Sequence, residues 1–261
     1  MNIQESIAKS SSPKVTDYFS QGFNIFFKKP WLFVGFTLIF FALNFGLSAI
    51  PLGGLVFGIF FQPLLMIGLL VVADRINYQE EVAFSNFFDG FKGDMGKVIV
   101  ANLLMFLMFL VPIALLISGF VSVLGLDNLI AAASQKPEDV DIESITNFSA
   151  AAGVMIFLGV VLIMYIGLSY TFVLHMLRFK NLTGWQALEA SRKLVAKHFF
   201  SIFLFALLGA VVNLAGILLL VVGLFVTIPA TLIATYVAFD DMVLARDADA
   251  EDEIMDHFIS E

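Results

Sequence analysis

Long apolar blocks separated by short polar segments form the main pattern of this sequence. No charged residue and no histidine occurs from Trp31 to Ala73 or from Phe199 to Phe239. A transmembrane helix needs about 20 mainly apolar residues, so each block is long enough for two helices. Pro51 to Gly54 predicts a tight turn that divides the first block into two spans.

Two further blocks predict one span each. The first extends from Val98 to Val123, where Pro112 is expected to break the helix locally, and the second extends from Ala150 to Leu174. Helices are required because the lipid core offers no water to the backbone, and the alternating strands of a barrel do not occur. We therefore expect an all-α membrane protein with a single transmembrane domain over residues 1–247 and an acidic tail at 248–261. The six predicted spans are about 31–50, 52–73, 98–123, 150–174, 199–216 and 220–239.

The positions of the basic residues predict the orientation of these spans. Of the 14 Lys and Arg residues, all but Lys136 lie on one side of the predicted membrane. Basic loops stay in the cytoplasm, so both termini are expected to be cytoplasmic. The loop around residues 135–144 is then expected to face outward.

A short amphipathic segment precedes each predicted hairpin. Apolar and aromatic residues recur at helical spacing over residues 15–27 and 84–91, and more weakly over 185–195. Such segments are typical of helices in the headgroup layer, with rings directed into the membrane and Lys beside anionic lipid. The fold is therefore expected to comprise three hairpins, each preceded by a cytoplasmic interfacial helix. The candidate headgroup contacts are Lys28, Lys29, Lys97, Arg192, Lys193 and Lys197.

The first and last hairpins share a spacing that indicates an internal repeat. Pro63 precedes Asp74 by the same number of residues as Pro229 precedes Asp240. The two prolines and the two aspartates are therefore candidate structural residues. A carboxylate at a membrane boundary needs a partner, so we expect each aspartate to bond with Lys, Arg or a backbone N–H of an interfacial segment.

Two stretches of the second half resemble a known group of proteins. They are the run GWQALEASR at residues 184–192, and a hairpin that closes on Thr227-Ile228-Pro229 and Phe239-Asp240-Asp241. The chain resembles uncharacterised polytopic bacterial inner-membrane proteins related to the membrane domain fused to some glycerophosphodiester phosphodiesterases. The resemblance implies a six-helix fold in the bacterial inner membrane and brings no catalytic residues. Because the soluble phosphodiesterase domain is not part of it, we do not expect that activity.

Composition narrows the chemistry further. Hydrophobic residues make up 60% of the chain and charged residues 14%, against about half and a quarter in soluble domains. The net charge of −8 argues against nucleic-acid binding, and the absence of Cys removes thiolate metal sites. Within the predicted bounds the spans carry no charge, which argues against proton-coupled transport and an intramembrane metalloenzyme. We expect no enzyme activity, cofactor or metal.

Uncharged polar side chains in the spans leave two functions open. They are expected to form hydrogen bonds between helices, although they could instead line a polar pathway near the interrupted helices. The favoured function is a non-enzymatic protein that organises lipid or a partner protein from its cytoplasmic face. The acidic tail could dock on a separate partner or on this protein's own basic segments around Arg192 to Lys197, or it could be a disordered, solvated segment. The alternative is a small transporter or channel for a lipid-like or neutral solute, and an intramembrane enzyme comes third. The candidate intramembrane polar residues are Asn44, Gln62, Asn102, Asn213 and Thr227.

Overall fold

A computed structural model describes residues 3–10, 12–125, 128, 134, 149–219 and 222–244. The regular elements in these ranges are all helical, which confirms the predicted all-α class. The predicted outer loop and the tail at 248–261 lie outside the described residues. The elements are α1 (Ile3–Lys9), α2 (Val15–Lys28), α3 (Pro30–Ser48), α4 (Gly53–Val56), a π-helical segment (Phe57–Phe61), α5 (Gln62–Asn77), a 3-10 helix (Phe84–Phe91), α6 (Met95–Leu124), α7 (Ala150–Ser169), α8 (Val173–Phe179), α9 (Gly184–Lys197), α10 (Phe199–Leu218), α11 (Leu224–Phe239) and a second π-helical segment (Asp240–Leu244).

Six stretches of the described chain are long and apolar enough to cross a membrane. Their number and order agree with the six spans predicted from the sequence, and they identify a multi-pass membrane protein. They are Pro30–Ser48, Gly53–Asn77, Met95–Leu124, Ala150–Phe179, Phe199–Leu218 and Leu224–Leu244.

The helices differ from the predicted spans in two respects. The break expected at Pro112 was wrong, because α6 continues through this residue. Neighbouring helices and local adjustment of the backbone let membrane helices tolerate an interior proline. The second and sixth stretches also extend beyond the predicted bounds and so include Asp74 and Asp240. The spans are therefore free of charged residues only within the shorter bounds predicted from the sequence.

The described chain divides into two compact units. One comprises Leu104–Gly167, and the other comprises Met1–Leu103 with Leu168–Glu261. In the smaller unit, α6 and α7 approach closely at glycines. A Cβ atom at Gly159 would lie 3.0 Å from the carbonyl oxygen of Pro112, and one at Gly119 would lie 3.2 Å from the amide nitrogen of Ile156. Small residues of this kind let membrane helices pack backbone to backbone.

In the larger unit, the apolar side of α2 packs on the sixth span. Tyr18, Phe19 and Phe26 are buried, and Gly22 faces α11. A Cβ atom at Gly22 would lie 2.8 Å from the carbonyl oxygen of Ala230 and 2.9 Å from the amide nitrogen of Ala234. The amphipathic pattern therefore reflects contact with protein on this side. The expectation that its rings are directed into lipid fails for the buried rings.

The 3-10 helix packs on the second span in the same manner. Gly90 contacts the backbone of Leu64 and Gly68, while Phe87 is fully buried and stacks on Phe36 at a ring-centroid distance of 4.4 Å. Leu64 and Gly68 follow Pro63 at the spacings at which Ala230 and Ala234 follow Pro229. The predicted amphipathic helices that precede the hairpins, called here the lead-in helices, correspond to α2, the 3-10 helix and α9. The internal repeat indicated by the prolines and aspartates thus includes the surfaces on which the first two of them pack.

The third lead-in helix, α9, is joined to the fourth span by a buried serine. The Ser191 hydroxyl donates a hydrogen bond to the Ser169 carbonyl at 2.8 Å and accepts one from the Phe172 amide at 3.2 Å. Ser191 thereby satisfies backbone groups at the junction between α7 and α8, where regular helical bonding is interrupted. The three lead-in helices accordingly pack on the sixth, second and fourth spans.

Candidate functional site

The two repeat-related aspartates lie at a polar cluster shared by α5 and the end of the sixth span. The Tyr236 hydroxyl donates a hydrogen bond to Asp74 at 2.7 Å. In the opposite direction, Asn77 and the Tyr78 hydroxyl donate to Asp240, each at 3.3 Å. Asp74 therefore accepts a hydrogen bond from α11, which leads into Asp240. Asp240 accepts hydrogen bonds from the last residue of α5, the helix that carries Asp74, and from the residue that caps α5.

These contacts correct the partners expected from the sequence. The aspartates were expected to bond with Lys, Arg or a backbone N–H of an interfacial segment. Their hydrogen-bond donors among the described residues are instead two phenols and one amide. A phenol can approach a carboxylate from an apolar helix face, whereas a Lys or Arg at that depth would itself require solvation. The cluster therefore joins spans two and six through hydrogen bonds donated from both sides.

A second pair of contacts ties each of these span ends to its lead-in helix. The Tyr18 hydroxyl of α2 donates to Asp241 at 2.6 Å, and burial together with this bond raises the pKa of Tyr18. At the repeat-related place in α5, Arg75 lies 3.4 Å from Asp89 of the 3-10 helix. Asp89 also pairs with Lys92 at 2.6 Å, and that hydrogen bond lowers the pKa of the Asp89 carboxyl.

The structure places the candidate intramembrane polar residues at helix contacts. Asn102 donates to the carbonyl oxygens of Gly58 and Ile59, both at 3.0 Å, in the π-helical segment. Asn213 donates to Thr231 at 3.3 Å and so joins α10 to α11. Of the other three, Thr227 packs against Gly216, Gln62 begins α5 beside Gly58, and Asn44 lies in the exposed second half of α3.

Four of the six candidate headgroup residues have protein partners. Arg192 and Lys193 lie 2.9 Å and 3.4 Å from Glu189, and these contacts lower the pKa of that carboxyl. Lys97 lies 3.4 Å from Asp94 and donates to Asn181 at 3.0 Å. These three cations are at least partly neutralised before any lipid approaches.

Lys197 has a role that sequence reasoning missed. Its ammonium group donates to the carbonyls of Ile7, Ala8 and Ser10 at 2.9, 2.6 and 2.9 Å. These carbonyls lie at the end of α1, where helices leave carbonyls unsatisfied and favour a cation. His198 reinforces the contact at 2.7 Å from the Ser10 hydroxyl. The spacing of Ile3 and Ile7 was the available signal for a short docked helix.

Lys28 and Lys29 are the remaining candidates, and both are exposed. Within the described chain, no side-chain hydrogen bond or ion pair engages either ammonium group. Two exposed aromatic rings flank them, since Phe27 is 61% exposed and Trp31 is 84% exposed. The sequence from Phe27 to Trp31 thus presents two free cations between two uncovered rings, a surface called here the aromatic-basic rim.

The described residues contain no group of three His, Asp or Glu side chains placed to hold a metal ion. A surface cavity of about 690 Å³ lies beside the aromatic-basic rim. Comparison with family models, with curated proteins and with solved structures gives no match. The resemblance noted in the sequence therefore stays a prediction, and function must be argued from the site.

Proposed function

We propose that this chain is a non-enzymatic, multi-pass protein of the bacterial inner membrane that organises lipid at its cytoplasmic face. The aromatic-basic rim carries the proposal, because it combines two unpaired cations with two exposed rings at the start of a membrane-spanning helix. Aromatic rings prefer the membrane–water interface, and Lys beside them attracts anionic headgroups. The rim therefore has the chemistry of a lipid contact.

The magnitude of this attraction follows from the number of free cations. A Lys near an anionic membrane surface contributes about 1 kcal/mol, so Lys28 and Lys29 together contribute about 2 kcal/mol. The paired cations Arg192, Lys193 and Lys97 contribute less, because a neighbouring carboxylate already offsets part of their charge. Of the six candidates from the sequence, Lys28 and Lys29 are thus the proposed headgroup residues.

The wider arrangement supports a role in holding lipid rather than moving a solute. We propose three hairpins, each preceded by a cytoplasmic amphipathic helix whose inner side packs on a span and whose outer side meets the headgroups. Asn102 and Asn213, which a transporter would direct into a pathway, are bonded to neighbouring helices. The transport alternative consequently has less support than lipid organisation.

Orientation is tested by labelling single Cys residues introduced into this Cys-free chain. Ser12→Cys is expected to react with an impermeant thiol reagent only after cells are opened. Cys introduced at Ser11 or Ala248 is expected to label from the same side and Cys at Gln135 from the opposite side, and these three positions lie outside the described residues. External labelling of Ser12→Cys in intact cells would reverse the proposed topology.

Lipid binding is tested with protein reconstituted in nanodiscs of neutral lipid containing a small fraction of anionic lipid. Native mass spectrometry counts the anionic molecules retained by each variant. Lys28→Gln with Lys29→Gln is expected to reduce retention, whereas Lys28→Arg with Lys29→Arg keeps the charge and retains it. Lys9→Gln with Lys14→Gln removes the same charge elsewhere and serves as the matched control. Equal retention by the Gln pair and this control would disprove the proposed lipid contact.

A further inference from the structure

The cavity beside the aromatic-basic rim brings opposite charges together on one surface. It has a volume of about 690 Å³, within the range of about 300–1,000 Å³ common for small-molecule sites. One side is formed by Lys28 and Lys29 at the end of α2, and the other by the chain that follows α5. The residues on that second side are Ile76, Gln79, Glu80, Glu81 and Val82.

The charges around this cavity do not neutralise one another. No ion pair within 4.0 Å joins Lys28 or Lys29 to Glu80 or Glu81 in the described chain. Glu80 has a distant contact with Arg75 at 3.8 Å, and Glu81 has no described partner. Opposite charges that line one cavity without meeting leave room for a ligand with two charges of its own.

The chain that carries the two glutamates is held in a defined conformation. The Gln79 amide donates to the Ile76 carbonyl at 3.2 Å, and the Glu80 amide donates to the Arg75 carbonyl at 2.8 Å. This is the Schellman pattern that ends helices, and it places Gln79 at φ 60°. Gly normally occupies such a position, because a side chain there costs free energy. These two hydrogen bonds fix the backbone that carries Glu80 at the edge of the cavity.

We propose that this cavity binds a zwitterionic headgroup in which a phosphate is linked to a primary ammonium, as in phosphatidylethanolamine. Lys28 and Lys29 would bind the phosphate, and Glu80 and Glu81 the ammonium. Ile76 and Val82 supply an apolar surface for the glycerol and upper acyl carbons. This inference rests on the proposed lipid contact and specifies it, since the glutamates favour a headgroup that also carries an ammonium over one that carries only negative charge.

The test compares retention of phosphatidylethanolamine and phosphatidylglycerol by the full-length protein in mixed nanodiscs, measured by native mass spectrometry. Glu80→Gln with Glu81→Gln is expected to lower the ethanolamine-to-glycerol retention ratio about fivefold or more, the equivalent of one surface charge. Glu5→Gln with Asp17→Asn removes two carboxylates elsewhere and is expected to leave the ratio unchanged. Lys28→Gln with Lys29→Gln is expected to reduce retention of both lipids.

The outcomes separate this inference from the proposed function. If the Lys variant loses both lipids but the Glu variant keeps the wild-type ratio, the zwitterionic site is wrong and the lipid contact stands. If the Lys variant loses neither, both fail. Competition with soluble phosphoethanolamine distinguishes the source of the headgroup. Displacement at equal concentration identifies a soluble ligand of the same chemistry, whereas displacement only at large excess identifies the lipid.

Discussion

The contact between α2 and the sixth span can be tested by adding one methyl group at Gly22. Gly22→Ala would place Cβ 2.8 Å from the Ala230 oxygen, 2.9 Å from the Ala234 nitrogen and 3.0 Å from the Ala234 Cβ. Favourable contacts between carbon atoms lie at about 3.5–4.0 Å, so the helices must separate by roughly 0.5–1 Å. All three neighbours belong to one helix backbone or its first side-chain atom, and none can turn aside.

The cost follows from the two opposing effects of this substitution. Overpacking of this kind costs about 1–3 kcal/mol, and the rigid neighbours place Gly22→Ala near the upper value. Ala also favours the helix over Gly by about 1 kcal/mol. Gly46→Ala in α3 is the matched control, because its Cβ meets nothing within 4 Å. The difference between the two variants therefore isolates the packing cost, about 3 kcal/mol.

The assay is thermal unfolding of the purified protein at fixed detergent concentration, followed by tryptophan fluorescence. A cost of about 3 kcal/mol corresponds to a midpoint roughly 6–12 °C below that of Gly46→Ala for a chain of this size. Gly90→Ala should show an equal or larger loss, because Cβ at Gly90 would lie closer to the repeat-related Leu64 carbonyl oxygen than Cβ at Gly22 lies to the Ala230 oxygen. Midpoints within about 2 °C of the control for both variants would refute the packing described here.

Three further predictions concern polar contacts. Tyr236→Phe removes the 2.7 Å hydrogen bond to Asp74 and should cost about 2 kcal/mol, seen as a lower melting midpoint; an unchanged midpoint would mean that Asp74 is solvated. The Lys92 hydrogen bond lowers the pKa of Asp89, so the ionised carboxylate stabilises the fold above its unfolded-state pKa, and this stability is lost as the pH falls through the folded-state value. Melting midpoints at neutral and acidic pH should therefore differ less in Asp89→Asn than in the wild type, and an equal difference would exclude this carboxyl. Lys197→Met removes the donor to three carbonyls at the end of α1, and limited proteolysis before residue 12 should become severalfold faster. An unchanged cleavage rate would show that α1 is held by other contacts.

The spans were predictable because the membrane imposes a length on every apolar run. Pro63 with Asp74 and Pro229 with Asp240 also identified two related span ends from spacing alone. Their partners were not predictable, because the contact of Tyr236 with Asp74 depends on how two helices are rotated about their axes. Helical periodicity in one segment carries no information about the rotation of another.

The lead-in helices show a second limit of sequence reasoning. Periodicity in residues 15–27 established an apolar face, but lipid and protein are equally apolar partners for it. In the structure the neighbouring rings differ, because Phe26 is buried against protein and Phe27 is exposed. The same limit explains why Lys197 was assigned to headgroups, because a Lys after an amphipathic helix can reach either a phosphate or the end of another helix.

The packing of α2 on α11 has a consequence for how the chain is made. α2 leaves the ribosome well before its protein partner, Leu224–Phe239. At about 5–20 residues per second, the intervening chain takes roughly 10–40 s to synthesise. During that interval the apolar face formed by Tyr18, Phe19 and Phe26 cannot pack on α11, and we expect it to lie in the headgroup layer of the membrane. The contact between α2 and α11 therefore forms only after the five intervening spans have been made, and nascent chains that stop before α11 would leave this aromatic face exposed to quality-control proteases.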